Sequence, residues 1–139
     1  MTKLLSCSEI KELDSKTIEK KEITSLDLMS DAVLTVEKWI LNNYKKNQKF
    51  SIICGNGNNG ADGILLSCKL MLKNYKVQAY FINEVGSPEF NHQFNYAKKI
   101  ELNLEKIDFN NLKSIEFSGV IIDCIFGVGL NREITGKYL

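Results

Sequence analysis

The sequence predicts one α/β domain in which a mostly parallel sheet is sandwiched between helices. Three observations carry that prediction. Segments with apolar residues at helical spacing alternate with short continuous apolar runs, the pattern of strands buried on both faces between helices. A glycine-rich loop leaves the first such run and opens the next helix, as in open α/β sheets whose ligand crevice lies outside the carboxyl ends of the strands. The 139 residues are 44% hydrophobic and 25% charged, enough apolar material for one core.

Two helices open the chain. Ser6-x-x-Glu9 has the form of a capping box, followed at helical spacing by Ile10, Leu13, Thr17 and Ile18. Thr24-x-x-Asp27 starts the second, and Leu28, Met29, Ala32, Val33, Val36, Trp39 and Ile40 form a broad apolar face expected to pack in the core. Phe50 to Cys54 reads as a buried strand. After the loop Gly55-Asn-Gly-Asn-Asn-Gly-Ala-Asp-Gly63, a helix places Ile64, Leu65, Cys68, Met71 and Leu72 on one face. Val77 to Ile82 is a second strand, and Phe90, Phe94 and Ala97 mark a helix after Pro88, the only proline. A short strand is expected near Leu104 to Ile107. Val120 to Cys124 is another buried strand, running into a second glycine cluster, Ile125 to Gly136. Neither internal repeats nor linker-like tracts divide the chain.

Charge and cysteine usage exclude several classes. Eighteen basic against seventeen acidic residues give a net charge of +1, with no bias toward nucleic acid or an anionic membrane. No apolar run approaches a membrane span, and the first residues turn charged too soon for a secretory signal. Cys7, Cys54, Cys68 and Cys124 form no CxxC pair and have no neighbouring histidine, so a reducing cytoplasm fits better than a disulfide framework or a zinc site. The lone His92 reads as a surface residue, and Cys54 and Cys124 as small core residues.

The first loop supports three readings. Gly55-x-Gly57-x-x-Gly60 between strand and helix matches a dinucleotide fingerprint, with Glu84 after the second strand available to a ribose hydroxyl. Asp62, read as sitting at the helix N-terminus, opposes a pyrophosphate there, and no Gly-Lys-Ser/Thr follows as a phosphate loop requires. Asn56, Asn58, Asn59 and Asp62 instead offer oxygens to a weakly charged cation or a polyhydroxylated ligand. The plainer alternative is a helix cap built from turn-forming asparagines.

The second loop adds a carboxylate and a cation. Asp123, near the end of a strand expected to be buried, needs a partner. Gly127 and Gly129 free the backbone that follows, Asn131 supplies donors, and Arg132, the only arginine, is the natural phosphate contact. The alternative is that Asp123 caps a neighbouring helix and Arg132 is a surface cation. Both loops leave strands at the same sheet edge, where they would face one another.

At these residues the sequence resembles the N-terminal domain family of NAD(P)H-hydrate epimerases, the YjeF N-terminal domain. The family's G-x-G-N-N-G-G-D-G loop stands here as Gly55 to Gly63, and its D-x-x-F/L-G-T-G-L-x-R motif is matched by Asp123, Phe126 and Gly127 to Arg132, with Val128 for threonine. Ser25-Leu-Asp-Leu-Met29 is similar to the family's S-x-x-L-M-E-x-A-G segment.

The resemblance implies a Rossmann-like three-layer α/β/α sandwich and repair of hydrated NADH or NADPH by epimerisation, against the alternative of a non-catalytic nucleotide- or partner-binding module. It implies that Asn58, Asn59, Gly60, Ala61 and Asp62, with Gly127, Val128, Gly129, Leu130, Asn131, Arg132 and Glu133, hold the substrate, and that Asn59 and Asp123 bind potassium. Epimerisation needs a proton donor and acceptor close by, and Asp123 is the expected catalytic group, with Asp62 the other loop aspartate. An ADP- or ATP-dependent dehydratase, fused or separate, is the implied partner, and a homodimer is compatible with the fold. Ala61 replaces a usual glycine, and Ser30 and Val33 stand for glutamate and glycine. The family continues past the length seen here to a D-x-P-S-G segment, so residues 1–139 read as a domain of this type lacking its C-terminal part.

Overall fold

A computed structural model describes residues 4–130 and 133–135. Helices α1 (Cys7–Lys21) and α2 (Ser25–Asn43) start at the two capping boxes. Ser6 N–H donates to Glu9 Oε2 at 2.8 Å while Glu9 N–H donates back to Ser6 Oγ at 3.3 Å. Thr24 and Asp27 repeat the exchange at 2.9 and 3.1 Å. Each box satisfies a first-turn donor that has no helical partner. Strand β1 (Lys49–Cys54) leads into α3 (Asn58–Leu72), β2 (Lys76–Phe81), α4 (Pro88–Lys99), β3 (Leu104–Lys106), a 3-10 segment (Phe109–Ser114) and β4 (Val120–Cys124).

The sheet is parallel throughout, in the order β3-β2-β1-β4. Successive strands step outward from β1 to β3, and the chain then returns to add β4 on the other side of β1. The direction of winding therefore reverses between β1 and β4, and an open α/β sheet forms its ligand crevice at that reversal. Entry to β4 is tightly defined: Gly119 has φ +79°, and a Cβ there would meet the Lys49 carbonyl oxygen at 2.1 Å. Buried Ser51 accepts from Ser118 N–H and donates to its carbonyl oxygen, both at 3.0 Å.

Helices α2, α3 and α4 form one layer, with α3 in the middle. Phe50, Ile52, Cys54, Ala79 and Phe81 point into it and meet Ile64, Leu70, Phe90 and Phe94. Because α3 is flanked by both neighbours and covers three strands, its buried face is wider than the periodicity implies. Leu66 and Leu70 are buried, whereas Leu72 is exposed. On the opposite face Tyr80, Ile82 and Ile107 pack with Ile53, Phe109, Ile115 and Ile125, so the 3-10 segment and its flanks supply the cover there.

Two expectations change. The apolar face of α2 is buried only through Met29, Val33, Glu37 and Ile40; Trp39 is 56% and Val36 45% exposed. Trp39 overhangs a groove along β4, which is an edge strand and supports the helix layer on one side only. For the same reason β4 is not buried on both faces, and Ile121 and Asp123 are exposed. Glu37 occupies the buried stripe of α2 because Lys69 and Lys73 of α3 reach it at 3.8 and 3.6 Å. Cys54, Cys68 and Cys124 are buried free thiols, and His92 is exposed. Among the described residues no helix is long and apolar enough to cross a membrane.

Candidate functional site

The two glycine loops meet at the reversal between β1 and β4. Gly55 N–H donates to the Cys124 carbonyl at 3.0 Å, extending the ladder beyond the last strand residues. From there the backbone packs on itself. A Cβ on Gly55 would meet the Ile125 carbonyl oxygen at 2.2 Å, and one on Gly60 would meet the Gly55 oxygen at 1.8 Å. These glycines let α3 begin directly against the ends of β1 and β4. A Cβ on Gly57 or Gly129 would meet nothing within 4 Å, so neither glycine serves such packing.

Helix α3 starts inside the loop, earlier than the sequence suggests. Gly57 is its N-cap and makes no side-chain capping bond, so the cap built from asparagines is not what the loop forms. The first helical bond is Ala61 N–H to Gly57 O at 3.0 Å, which leaves the amides of Asn58, Asn59 and Gly60 without helical partners. Such an end presents donors and partial positive charge to ligand oxygens. Asn59 instead reaches across the crevice, its Nδ2 donating to the Phe126 carbonyl oxygen at 2.9 Å.

Asp62 therefore lies one turn into α3, not at its N-terminus. It is half-buried and makes no hydrogen bond or ion pair among the described residues. Burial, and then the Asp14 carboxylate of α1, push its carboxyl up to about 6. Asp14 lies outside both loops, and the motifs do not mark it. The signal for it is that Ile10, Asp14 and Ile18 share one helical stripe at i, i+4 and i+8, an acid set among residues that face the protein.

Asp123 does not need the partner that a buried position would demand. Its side chain is exposed, and Oδ1 accepts from Ile125 N–H at 2.9 Å, turning the chain away from β4. In the following loop Leu130 N–H closes a turn on Gly127 O at 3.1 Å, and a Cβ on Gly127 would stand 3.0 Å from Asn59 Cβ. Val128, Gly129, Leu130 and Glu133 are exposed; Asn131 and Arg132 lie outside the described residues. Burial, then Asp62 and Asp123, push the Cys124 thiol up to about 12, and burial raises Cys54 well above the ordinary thiol range. Both are poorly suited to act as nucleophiles. Glu84 is engaged by Lys98 Nζ at 3.0 Å, whose hydrogen bond holds its carboxyl below the ordinary value.

For a cation, the donor set is oxygen. Asn59 commits its Nδ2 to Phe126, leaving Oδ1 as an acceptor 3.7 Å from where a Cβ on Gly127 would stand, and Asp123 adds a carboxylate on the adjoining strand. Oxygen donors of this kind fit a hard cation such as potassium. Histidine, cysteine, aspartate and glutamate form no metal-holding group of three among the described residues, so amide and carbonyl oxygens would share the task.

A third loop, outside both glycine clusters, touches the first. Between β2 and α4, Ser87 N–H donates to the Asn56 carbonyl oxygen at 2.9 Å, and Asn56 Nδ2 donates to Val85 O at 3.3 Å. Its one signal in the sequence is Gly86, an isolated glycine next to Ser-Pro.

Known proteins match this chain. The family model described as YjeF-related protein N-terminus matches residues 25–139. An NAD(P)H-hydrate epimerase of Lentilactobacillus buchneri is 33% identical over 99% of this chain and 64% of its own length. One of Oenococcus oeni is 31% identical over 96% of this chain and 63% of its own. A bifunctional NAD(P)H-hydrate repair enzyme Nnr of Dictyoglomus turgidum is 30% identical over 95% of this chain and 26% of its own. The chain thus spans less than two thirds of the length of these curated relatives. The crystal structure of yeast ynu0, YNL200c, superposes with a TM-score of 0.77 at 20% identity, covering 96% of this chain and 60% of the yeast chain.

Proposed function

The chain belongs to the family of YjeF-related protein N-termini, and we propose that it interconverts the R and S epimers of hydrated NADH and NADPH. The observation that carries this reading is the junction of the two loops through Asn59 and Phe126 at the sheet reversal. It is made in a chain whose relatives are named NAD(P)H-hydrate epimerase. Asn58 to Asp62 and Gly127 to Glu133 hold the substrate. The uncapped amides of Asn58, Asn59 and Gly60 receive its oxygens.

Asp62 is suited to proton transfer, since a carboxyl near 6 both holds and releases a proton close to neutral pH. Asp123 is the second acid–base candidate, and with Asn59 it would hold potassium. A potassium ion held there would supply positive charge to balance the oxygens of the substrate. A dehydratase, ADP- or ATP-dependent, fused or separate, is the proposed consumer of one epimer, and the bifunctional repair enzyme of Dictyoglomus turgidum accords with a second activity beside this one. The free cysteines accord with a reducing cytoplasm as the location.

The test couples this protein to a dehydratase that consumes a single epimer and follows loss of the other, with potassium present. The expected result is loss well above the spontaneous rate. Binding of hydrated NADH with no acceleration would overturn the catalytic reading in favour of a nucleotide-binding module.

A further inference from the structure

The start of α3 has no side-chain cap of its own, so something else must hold the uncapped amides in position. The neighbouring restraint is the β2–α4 loop. Asn91, in the first turn of α4, accepts from Gly86 N–H through Oδ1 at 2.9 Å and donates through Nδ2 to Gly86 O at 3.1 Å. One side chain thereby grips both backbone groups of one glycine. Gly86 in turn lies against the first loop, where a Cβ on it would stand 2.0 Å from the Asn56 carbonyl oxygen. Ser87 N–H donates to that same oxygen at 2.9 Å, and Asn56 Nδ2 returns a bond to Val85 O at 3.3 Å. The far end is anchored as well: Ser87 Oγ caps α4 through Phe90 N–H at 3.1 Å, and Ser25 Oγ of α2 donates to Glu89 Oε1 at 2.7 Å. Asn56 directly precedes Gly57, the residue from which α3 starts.

We infer that Asn91 is a positioning residue: by gripping Gly86 it holds the β2–α4 loop against Asn56 and so fixes the first turn of α3 for the ligand. Asn91 lies in neither glycine loop and acts through Gly86 and Asn56. Its role in turnover rests on the epimerase reading; its role in ordering the loop does not.

The test uses Asn91→Ala, which removes both bonds, and Asn91→Asp, which keeps the acceptor for Gly86 N–H and loses the donor. Amide exchange at residues 61–64, whose N–H groups make the first bonds of α3, is measured by mass spectrometry, and epimerase KM and kcat are measured on the same preparations. Asn91→Ala should speed exchange at 61–64 about tenfold and raise KM by about tenfold with kcat little changed, the mark of lost binding rather than lost chemistry. Asn91→Asp should fall between it and the wild type, and serves alone if the alanine variant fails to fold. Unaltered exchange at 61–64 in a folded variant overturns the inference, as does a fall in kcat at constant KM. An inactive wild type would sink the epimerase reading, while the exchange data would still decide the role of Asn91.

Discussion

Asn59 Nδ2 lies 2.9 Å from the Phe126 carbonyl oxygen, and this one hydrogen bond spans the crevice between the start of α3 and the loop after β4. The two residues are 67 positions apart and come from the two glycine clusters. Both clusters leave parallel strands that are neighbours, with Cys54 in register with Cys124, so the loops emerge side by side.

Replacing Asn59 by leucine should uncouple those loops. The donor to Phe126 is lost, at a cost of about 1 kcal/mol in denaturant unfolding. Hydrogen exchange should rise at residues 126–130 and stay unchanged in β2. Equal exchange throughout would mean that the second loop holds its place without this bond.

Gly60 and Gly57 should differ in their tolerance of alanine. At Gly60 the added carbon would stand 1.8 Å from the Gly55 oxygen, so α3 must shift away from the strand ends. A loss of about 3 kcal/mol is expected, at the upper end of ordinary overpacking. At Gly57 the space is open, and the cost should be about 0.5 kcal/mol, for a less favourable N-cap residue. Urea melts of the two variants decide this.

Asp62 sets a pH dependence whose sign can be stated. Its carboxyl, ordinarily near 3.8, is raised to about 6 by burial and by Asp14. A group raised on folding favours the folded state fully below its unfolded pKa, and that contribution is lost as pH rises through the folded value. Asp62→Asn, which never ionises, should therefore gain melting temperature relative to the wild type between pH 4 and pH 8, with most of the gain above pH 5. Asp14→Asn should shrink that gain. A difference independent of pH would remove Asp62 as the titrating group.

The thiols should differ sharply in reactivity. Cys54 and Cys68 are fully buried and Cys124 nearly so, whereas Cys7 is exposed. Iodoacetamide at pH 8 should add one carbamidomethyl group to the native protein, at Cys7, as read by mass spectrometry. Labelling of Cys124 without unfolding would contradict the packing of Gly63 against it, where a Cβ on Gly63 would stand 2.8 Å from Cys124 Cβ.

Much of this arrangement is legible in the sequence because it is written in local terms. The capping boxes at Ser6 and Thr24, the alternation of helices with apolar strands, and the two glycine clusters are short-range signals, and each corresponds to an observed element. Trp39 and Asp123 depart from expectation for a shared reason. Periodicity marks which residues lie on one face but not whether a neighbour covers that face, and both residues border the edge strand β4. Asp14 and Asn91 carry no local signal of comparable strength, because their importance depends on contacts between helices and loops distant in sequence. The start of α3 at Asn58 is hidden by the asparagines, which suggest turns and caps when read alone, whereas Gly57 serves as the cap.

The central claim is that hydrated NADH is held where the two glycine loops meet. It is tested most directly by titrating the 15N-labelled protein with hydrated NADH in potassium-containing buffer and following backbone amide shifts. The account predicts saturable shifts concentrated at Gly57 to Asp62 and Phe126 to Leu130, reduced in Asn59→Leu. Shifts confined instead to the groove lined by Phe81, Phe94, Lys98 and Leu102, on the far side of β2, would contradict it.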